Sequence, residues 1–223
     1  MIITIDGPAG SGKSTAARKL AARLGIAYLD TGAMYRAVAL AALRQGVSLD
    51  DRGALVDTAV GCHVEVDCGP THTRVMLDEA DVSEAIRSMA VNQATNFVAR
   101  VPEIRQMLVD KQRAIGGKLG SLVSEGRDQG SVVFPDADIK FFLDAAIEKR
   151  AQRRYQEMVA DGEEASYERI LENLKLRDGN DQSQWAPLME PETAIRIDTT
   201  HMTIHEVVEQ LEGEVQRRIP SGQ

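Results

Sequence analysis

The chain has 223 residues, 43% of them hydrophobic, and a formal net charge of −8. That is enough to bury a sizeable core, and it disfavours a broad nucleic-acid or anionic-membrane surface, so any anionic ligand must be met by local basic clusters. Cys62 and Cys68 have no histidine at zinc-like spacing, which implies neither a disulfide framework nor a metal site, and no apolar run approaches the roughly 18 residues of a membrane span.

From Met1 the apolar residues begin at once, leaving no room for a leader, and reduced thiols fit the cytosol. A cytoplasmic protein is expected, a monomer bound to no membrane and to no nucleic-acid polymer. Ile2, Ile3 and Ile5 predict a strand that runs into Gly7-Pro8-Ala9-Gly10-Ser11-Gly12-Lys13-Ser14-Thr15. Gly7, Gly12, Lys13 and Ser14 fit G-x-x-x-x-G-K-[ST], with an apolar strand before the motif and an Ala/Leu-rich helix pattern after it. An anion held there must meet several backbone N–H groups at once, an approach that side chains at Gly10 or Gly12 would obstruct. The helix beginning near Lys13 directs its positive dipole end at the phosphates, and Lys13 adds a full charge. Ser14 is placed to ligate Mg²⁺, and Thr15 supports the same phosphates. Residues 7–15 are therefore the candidate nucleotide-phosphate site. A glycine-rich turn with a surface lysine is the plainer reading, and it leaves the complete motif in its proper context unexplained.

Ala16, Ala17, Leu20, Ala21 and Leu24 recur at helical spacing up to a stop at Gly25. Ile26 to Leu29 predicts a short strand, broken by Asp30-Thr31-Gly32. A helix from Ala33 to Arg44, closed by Gly46, then puts Thr31, Tyr35 and Arg36 near a strand's C-terminal end, where open α/β sheets bind ligands. From Cys62 the pattern changes. His63 to Asp67 and Thr73 to Leu77 alternate about a Gly-Pro turn, predicting an antiparallel hairpin in an inserted lobe. The lobe continues through a helix capped by Ser83 and another from Val91 to Arg100, and Pro102 restarts a helix that ends before Gly116-Gly117.

Leu119 to Glu125 predicts a buried strand from which Gly126-Arg127-Asp128 emerges toward the phosphate site, and Asp138 to Asp144 is the next strand. Both are expected to be parallel strands of a doubly wound α/β sheet. Ile147 to Asp161 carries Arg150, Arg153 and Arg154 on one helix face, which either meets phosphates or is simply solvated. Tyr167 to Asp178 predicts a second helix, and with the polar segment to Trp185 the pair is a candidate mobile flap. Ala194 to Asp198 is the last strand. Thr203-Ile-His-Glu206 reads as a capping box opening a C-terminal helix whose Val207, Val208, Leu211 and Val215 pack on the sheet.

A phosphate cradle alone does not separate a kinase from a switch or a motor. Arg36, Arg127, Arg150, Arg153, Arg154 and Arg177 all fall at strand ends or in the flap, and phosphoryl transfer needs such cations around the moving group. A GTPase switch would carry an N-K-x-D run, and this sequence has none.

Leu29-Asp-Thr-Gly-Ala-Met-Tyr-Arg36, Glu125-Gly-Arg-Asp-Gln-Gly-Ser-Val-Val-Phe-Pro-Asp-Ala137, and Arg177-Asp178 with Ala186-Pro-Leu188 resemble the bacterial cytidylate kinases, P-loop nucleoside monophosphate kinases, over essentially the whole chain. The resemblance implies an α/β core with a five-stranded parallel sheet over 1–60, 103–147 and 182–223. It also implies a monophosphate-binding insert with antiparallel strands over about 61–102 and a helical lid over about 148–181. The implied reaction is ATP with CMP or dCMP to give ADP with CDP or dCDP, assisted by Mg²⁺. Carried over by position, Thr31, Arg36 and Arg127 bind CMP at its phosphate, Tyr35 belongs to the same CMP site, and Arg177 and Asp181 lie toward its ribose and phosphate. Arg105 and Asp128 fall at the cytosine, with Arg150, Arg153 and Arg154 as lid arginines over the triphosphate. Lys13, Arg127 and these lid arginines are thus the catalytic candidates. The chemistry agrees, since a carboxylate accepts from the cytosine N4 amino group while an arginine donates to the ring's acceptors, a combination uracil does not satisfy. Asn96 stands where the family usually has a serine at the cytosine, and Gln184 where it usually has a lid arginine. Two other readings remain open at this stage: a P-loop kinase for another small acceptor, such as uridylate or a non-nucleotide alcohol, and an ATP-dependent regulatory or partner-binding protein.

Overall fold

The computed structural model describes residues 1–160, 162, 164–189 and 193–218, the side chains of 180–189 excepted. β1 (Ile2–Asp6) leads through the glycine-rich turn into α1 (Lys13–Leu24), then β2 (Ala27–Asp30), α2 (Thr31–Arg44) and α3 (Arg52–Gly61). β3 (Val64–Cys68), β4 (Thr73–Leu77), β5 (Ala80–Asp81) and a 3₁₀ turn at Ala85–Arg87 precede α4 (Met89–Ala99) and α5 (Pro102–Leu119). β6 (Leu122–Gly126), a π turn at Gln129–Val133, β7 (Ile139–Asp144), α6 (Ile147–Ala160), α7 (Tyr167–Met189), β8 (Ile195–Asp198) and α8 (Ile204–Arg218) complete the order.

Two sheets result: a five-stranded one in the order β2-β6-β1-β7-β8, parallel throughout, and a three-stranded antiparallel one in the order β3-β4-β5. Side chains alternate across the parallel sheet. Leu29 and Leu122 face a core shared with α2, α4 and α5, while Tyr28 and Val123 face a second core with α1 and α8. With both faces covered, the strands read as near-continuous apolar runs. The expected antiparallel hairpin forms, in a register that pairs Val66 with Val75, and it also meets β2. Tyr28 N donates to Gly69 O at 3.0 Å, Thr73 Oγ1 donates to Tyr28 O at 2.8 Å, and Asp30 N donates to Thr73 Oγ1 at 3.3 Å.

Several boundaries differ from the sequence expectation for local reasons. α2 begins at Thr31 rather than Ala33, because the Asp30 carboxylate caps it by accepting from Ala33 N at 3.0 Å. Ser83 caps no helix; its hydroxyl accepts from Val75 N at 2.9 Å, and Ser88 caps α4 instead. α5 passes through Gly116 and Gly117 and ends at Gly120, whose φ is 70°. Gly116 is a contact rather than a stop, since a Cβ there would lie 2.6 Å from the Phe134 ring. Because α5 runs on to Leu119, β6 starts only at Leu122. α3, capped by Asp51 on Ala54 N at 3.0 Å, was not expected, and α7 continues to Met189 where a loose segment after Asp178 was expected. The capping box holds: Thr203 N donates to Glu206 Oε2 at 2.7 Å, and Glu206 N to Thr203 Oγ1 at 3.3 Å. Among the described residues no helix is long and apolar enough to cross a membrane.

Candidate active site

β1 ends in Asp6, and the turn from Gly7 to Gly12 delivers the chain to the N-terminus of α1. Gly7 has φ 149°, and a Cβ on it would fall 2.0 Å from the Leu143 carbonyl oxygen, so only glycine lets the loop sit against the end of β7. Gly10, at φ 77°, lies beneath Arg150, whose Cβ is 3.1 Å from where a glycine Cβ would stand. Three carbonyls of this loop are held by side chains. Pro8 O accepts from Lys13 Nζ at 3.2 Å, Ala9 O from Arg150 Nη1 at 2.9 Å and Ser11 O from Thr199 Oγ1 at 3.2 Å. Gly12 caps α1 without a side-chain hydrogen bond, which leaves the helix's positive end to an anion. Lys13 is buried, the Ser14 hydroxyl is exposed and Thr15 is half-buried, all on the first turn of α1.

Carboxylates surround Lys13, and sequence reasoning did not single them out. Asp6 accepts from the amides of Gln129 and Gly130, each at 2.8 Å, and burial pushes its carboxyl up to about 7 against those two amides. Glu125, at the end of β6, is likewise raised by burial and then by Asp30, its register partner on β2. Lys13, a hydrogen bond from Ser14 and Arg127 oppose that rise. The signal was present as a carboxylate near the C-terminal end of each of two mainly apolar strands.

The C-terminal ends of β2 and β6 assemble a second polar cluster beside the loop. Asp30 pairs with Arg36 at 2.7 Å while capping α2, and Thr31 Oγ1 donates to Glu125 O at 2.7 Å. Arg127 Nη1 lies 3.4 Å from Gly126 O. Arg105 on α5 forms an ion pair with Asp128 and hydrogen-bonds Tyr35, whose phenol is pushed up first by burial and then by Asp128. A buried amide network stands behind Asp128. Ser124 Oγ donates to Gln129 Oε1 at 2.8 Å, and Gln129 Nε2 donates to Gln112 Oε1 at 3.2 Å. Sequence reasoning missed these two glutamines, which are joined only through the fold. Asn96 is half-buried on α4, and among the described residues no hydrogen bond joins it to Arg105 or Asp128.

The three arginines of α6 do not present one face to one target. Arg150 is buried, donating Nε to Ala145 O at 2.9 Å and gripping Asp178 on α7 at 3.1 and 2.6 Å. Arg153 reaches Thr199 Oγ1 at 3.2 Å and Met202 O at 3.3 Å after β8, while Arg154 is exposed beside Glu157 at 3.3 Å. Leu174 of α7 packs with Ala151 and with Ala9 of the cradle, so the helix pair rests on the phosphate loop. Arg177 is exposed on α7. The side chains of Asp181, Gln184, Trp185 and Ala186-Pro-Leu188 lie outside the described residues.

The sequence matches the family model described as cytidylate kinase over residues 3–217. A cytidylate kinase from Caldanaerobacter subterraneus subsp. tengcongensis is 50% identical over 211 residues, covering 94% of this chain and 92% of that protein. A second, from Geobacter sp. strain M21, is 43% identical over 223 residues, covering 100% of this chain and 95% of its own. The crystal structure of an uncharacterized protein from Eubacterium ventriosum shares the fold, with a TM-score of 0.52 at 15% identity over 98% of this chain and 99% of that one. With the match running from the first strand into the last helix, across cradle, insert and α6–α7 alike, this chain belongs to the cytidylate kinase family of phosphotransferases.

Proposed function

We propose that this protein, a nucleoside monophosphate kinase acting on CMP and dCMP, transfers the γ-phosphate of ATP to the acceptor in the cytoplasm as a monomer, with Mg²⁺ bound. The residues fall into three working parts. The core holds ATP on residues 7–15, the insert over about 61–102 closes on the monophosphate, and α6–α7 acts as the lid. The observation that carries the reading is the Arg105–Asp128 pair beside Tyr35, set at the end of β6 on the same strand-end platform as Thr31, Arg36 and Arg127. Asp128 accepts from the cytosine amino group, Arg105 donates to the ring's acceptors, and Thr31, Arg36 and Arg127 hold the CMP phosphate toward Lys13. Asn96 adds an adaptable hydrogen bond from the insert, and Arg177 with Asp181 serves the ribose and phosphate.

Phosphoryl transfer asks the protein for position and charge rather than covalent chemistry. Lys13 and Arg127 bracket the moving group, and Arg150, Arg153 and Arg154 complete the cationic surround, Arg150 from behind the loop. Gln184 supplies a neutral hydrogen bond where a family arginine would supply charge. Among the described residues no three carboxylate, histidine or cysteine groups converge as a metal cage. That suits Mg²⁺, which takes one or two protein oxygens and is otherwise held by substrate phosphates and water. The Ser14 hydroxyl, hydrogen-bonded to Glu125, is the fitting protein ligand, and the ion supplies charge neutralisation on the phosphates.

The test is a coupled assay of ADP release with a panel of acceptors. CMP and dCMP are expected to be turned over well above UMP and AMP. A flat profile across the four, or ADP release that is independent of acceptor, counts against the proposed base reading.

A further inference from the structure

A planar trans peptide holds its carbonyl oxygen and the following N–H on opposite sides, so whatever fixes the carbonyl also aims the amide. In the phosphate loop two carbonyls are fixed by side chains from far along the chain. Ser11 O receives Thr199 Oγ1, and Ala9 O receives Arg150 Nη1. The amides aimed by these contacts belong to Gly12 and Gly10, whose φ values of 86° and 77° leave the loop without a side chain of its own to set its path. Thr199 is 1% exposed, and its single hydroxyl proton lies between Ser11 O at 3.2 Å and Asp144 O at 3.0 Å. Arg153 donates into the Thr199 oxygen at 3.2 Å, so the hydroxyl proton is left for these two carbonyls, which it ties together. On the other side, Arg150 is held for Ala9 by the bidentate grip of Asp178.

We propose that Thr199, directly, and Asp178, through Arg150, are positioning residues of the phosphate cradle: they hold the Ser11 and Ala9 carbonyls outward so that the Gly12 and Gly10 amides face the phosphates. Neither touches the nucleotide. Their position at the end of β8 and on α7 ties the last strand and the lid helix to the geometry of a loop near the N-terminus. The proposal rests on the reading of residues 7–15 as the ATP site.

Thr199→Val keeps the side-chain shape and deletes the hydroxyl. Titrated with ATP, with inorganic tripolyphosphate and with CMP, this variant is expected to bind the first two about five- to tenfold more weakly, by a common factor, with CMP unchanged. Thr199→Ser is expected to restore both. Asp178→Asn is expected to weaken ATP and tripolyphosphate in the same way by a smaller factor, and it decides the matter if the valine variant does not fold. Wild-type binding of ATP with equal binding by the variants, or a matching loss for CMP, overturns the proposal. A wild-type protein that binds neither ATP nor tripolyphosphate overturns the cradle reading itself, and this inference with it.

Discussion

Lys13 Nζ donates to Pro8 O of its own loop at 3.2 Å, and its charge opposes the rise of the Asp6 and Glu125 carboxyls. Lys13→Ala is expected to lower kcat by about 10²–10³-fold, as for loss of one positioned donor to transition-state charge, with the fold retained. Steady-state rates alongside circular dichroism check both halves. At the proposed base site, Asp128→Asn keeps the shape and replaces an acceptor by an amide that can also donate. The ratio of kcat/KM for CMP over UMP is expected to shrink by about tenfold, and an unchanged ratio would assign base reading elsewhere. Asp6 gives a prediction in pH. Burial raises its carboxyl from 3.8 to about 7, so between those values the folded state keeps a proton that the unfolded chain has lost. Stability therefore falls as pH rises through that window. Thermal unfolding from pH 4 to 7.5 should show a steeper decline for wild type than for Asp6→Asn, and parallel profiles would mean that Asp6 does not titrate there.

α5 shows how an element can contradict the local preference of its residues. Gly116 and Gly117 read as a stop, yet the helix continues because the Phe134 ring packs where a Gly116 side chain would be, while a Cβ on Gly117 would point into open space. Gly116→Ala is expected to destabilise by about 1–3 kcal/mol through overpacking, and Gly117→Ala to stabilise by about 0.5–1 kcal/mol by relieving the unfolded-state entropy of glycine. Urea unfolding of the two variants measures the contrast, and shifts of the same sign would refute it. The same element marks the limit of what the sequence discloses. Strands, cradle, hairpin and capping box were legible because each is written in contiguous residues. α3 was not, since it buries only Leu55, Thr58 and Ala59 and carries glycine near both ends. Asp6 with Gln129, Gln112 with Gln129, and Thr199 with Ser11 were illegible for another reason: the fold alone brings these partners together.

At the scale of the molecule, α6–α7 is joined to the cradle by Arg150 Nη1 on Ala9 O, with Asp178 gripping Arg150, and by Leu174 against Ala9, so ligand binding at the loop and docking of the helix pair favour each other. Proteolysis within residues 148–181 is expected to slow several-fold when ATP and CMP are present together, more than with either alone. Equal cleavage in all conditions would separate lid from cradle. The insert has a second consequence. β2 is an outer strand of the parallel sheet, and Tyr28 N, Tyr28 O and Asp30 N lie along its unpaired side. Gly69 and Thr73 occupy these groups with a carbonyl and a hydroxyl, without a full strand ladder. An outer strand left bare invites strand addition by another copy, and this hairpin blunts it. A chain trimmed of the hairpin is therefore expected to self-associate as its concentration rises, which sedimentation would show.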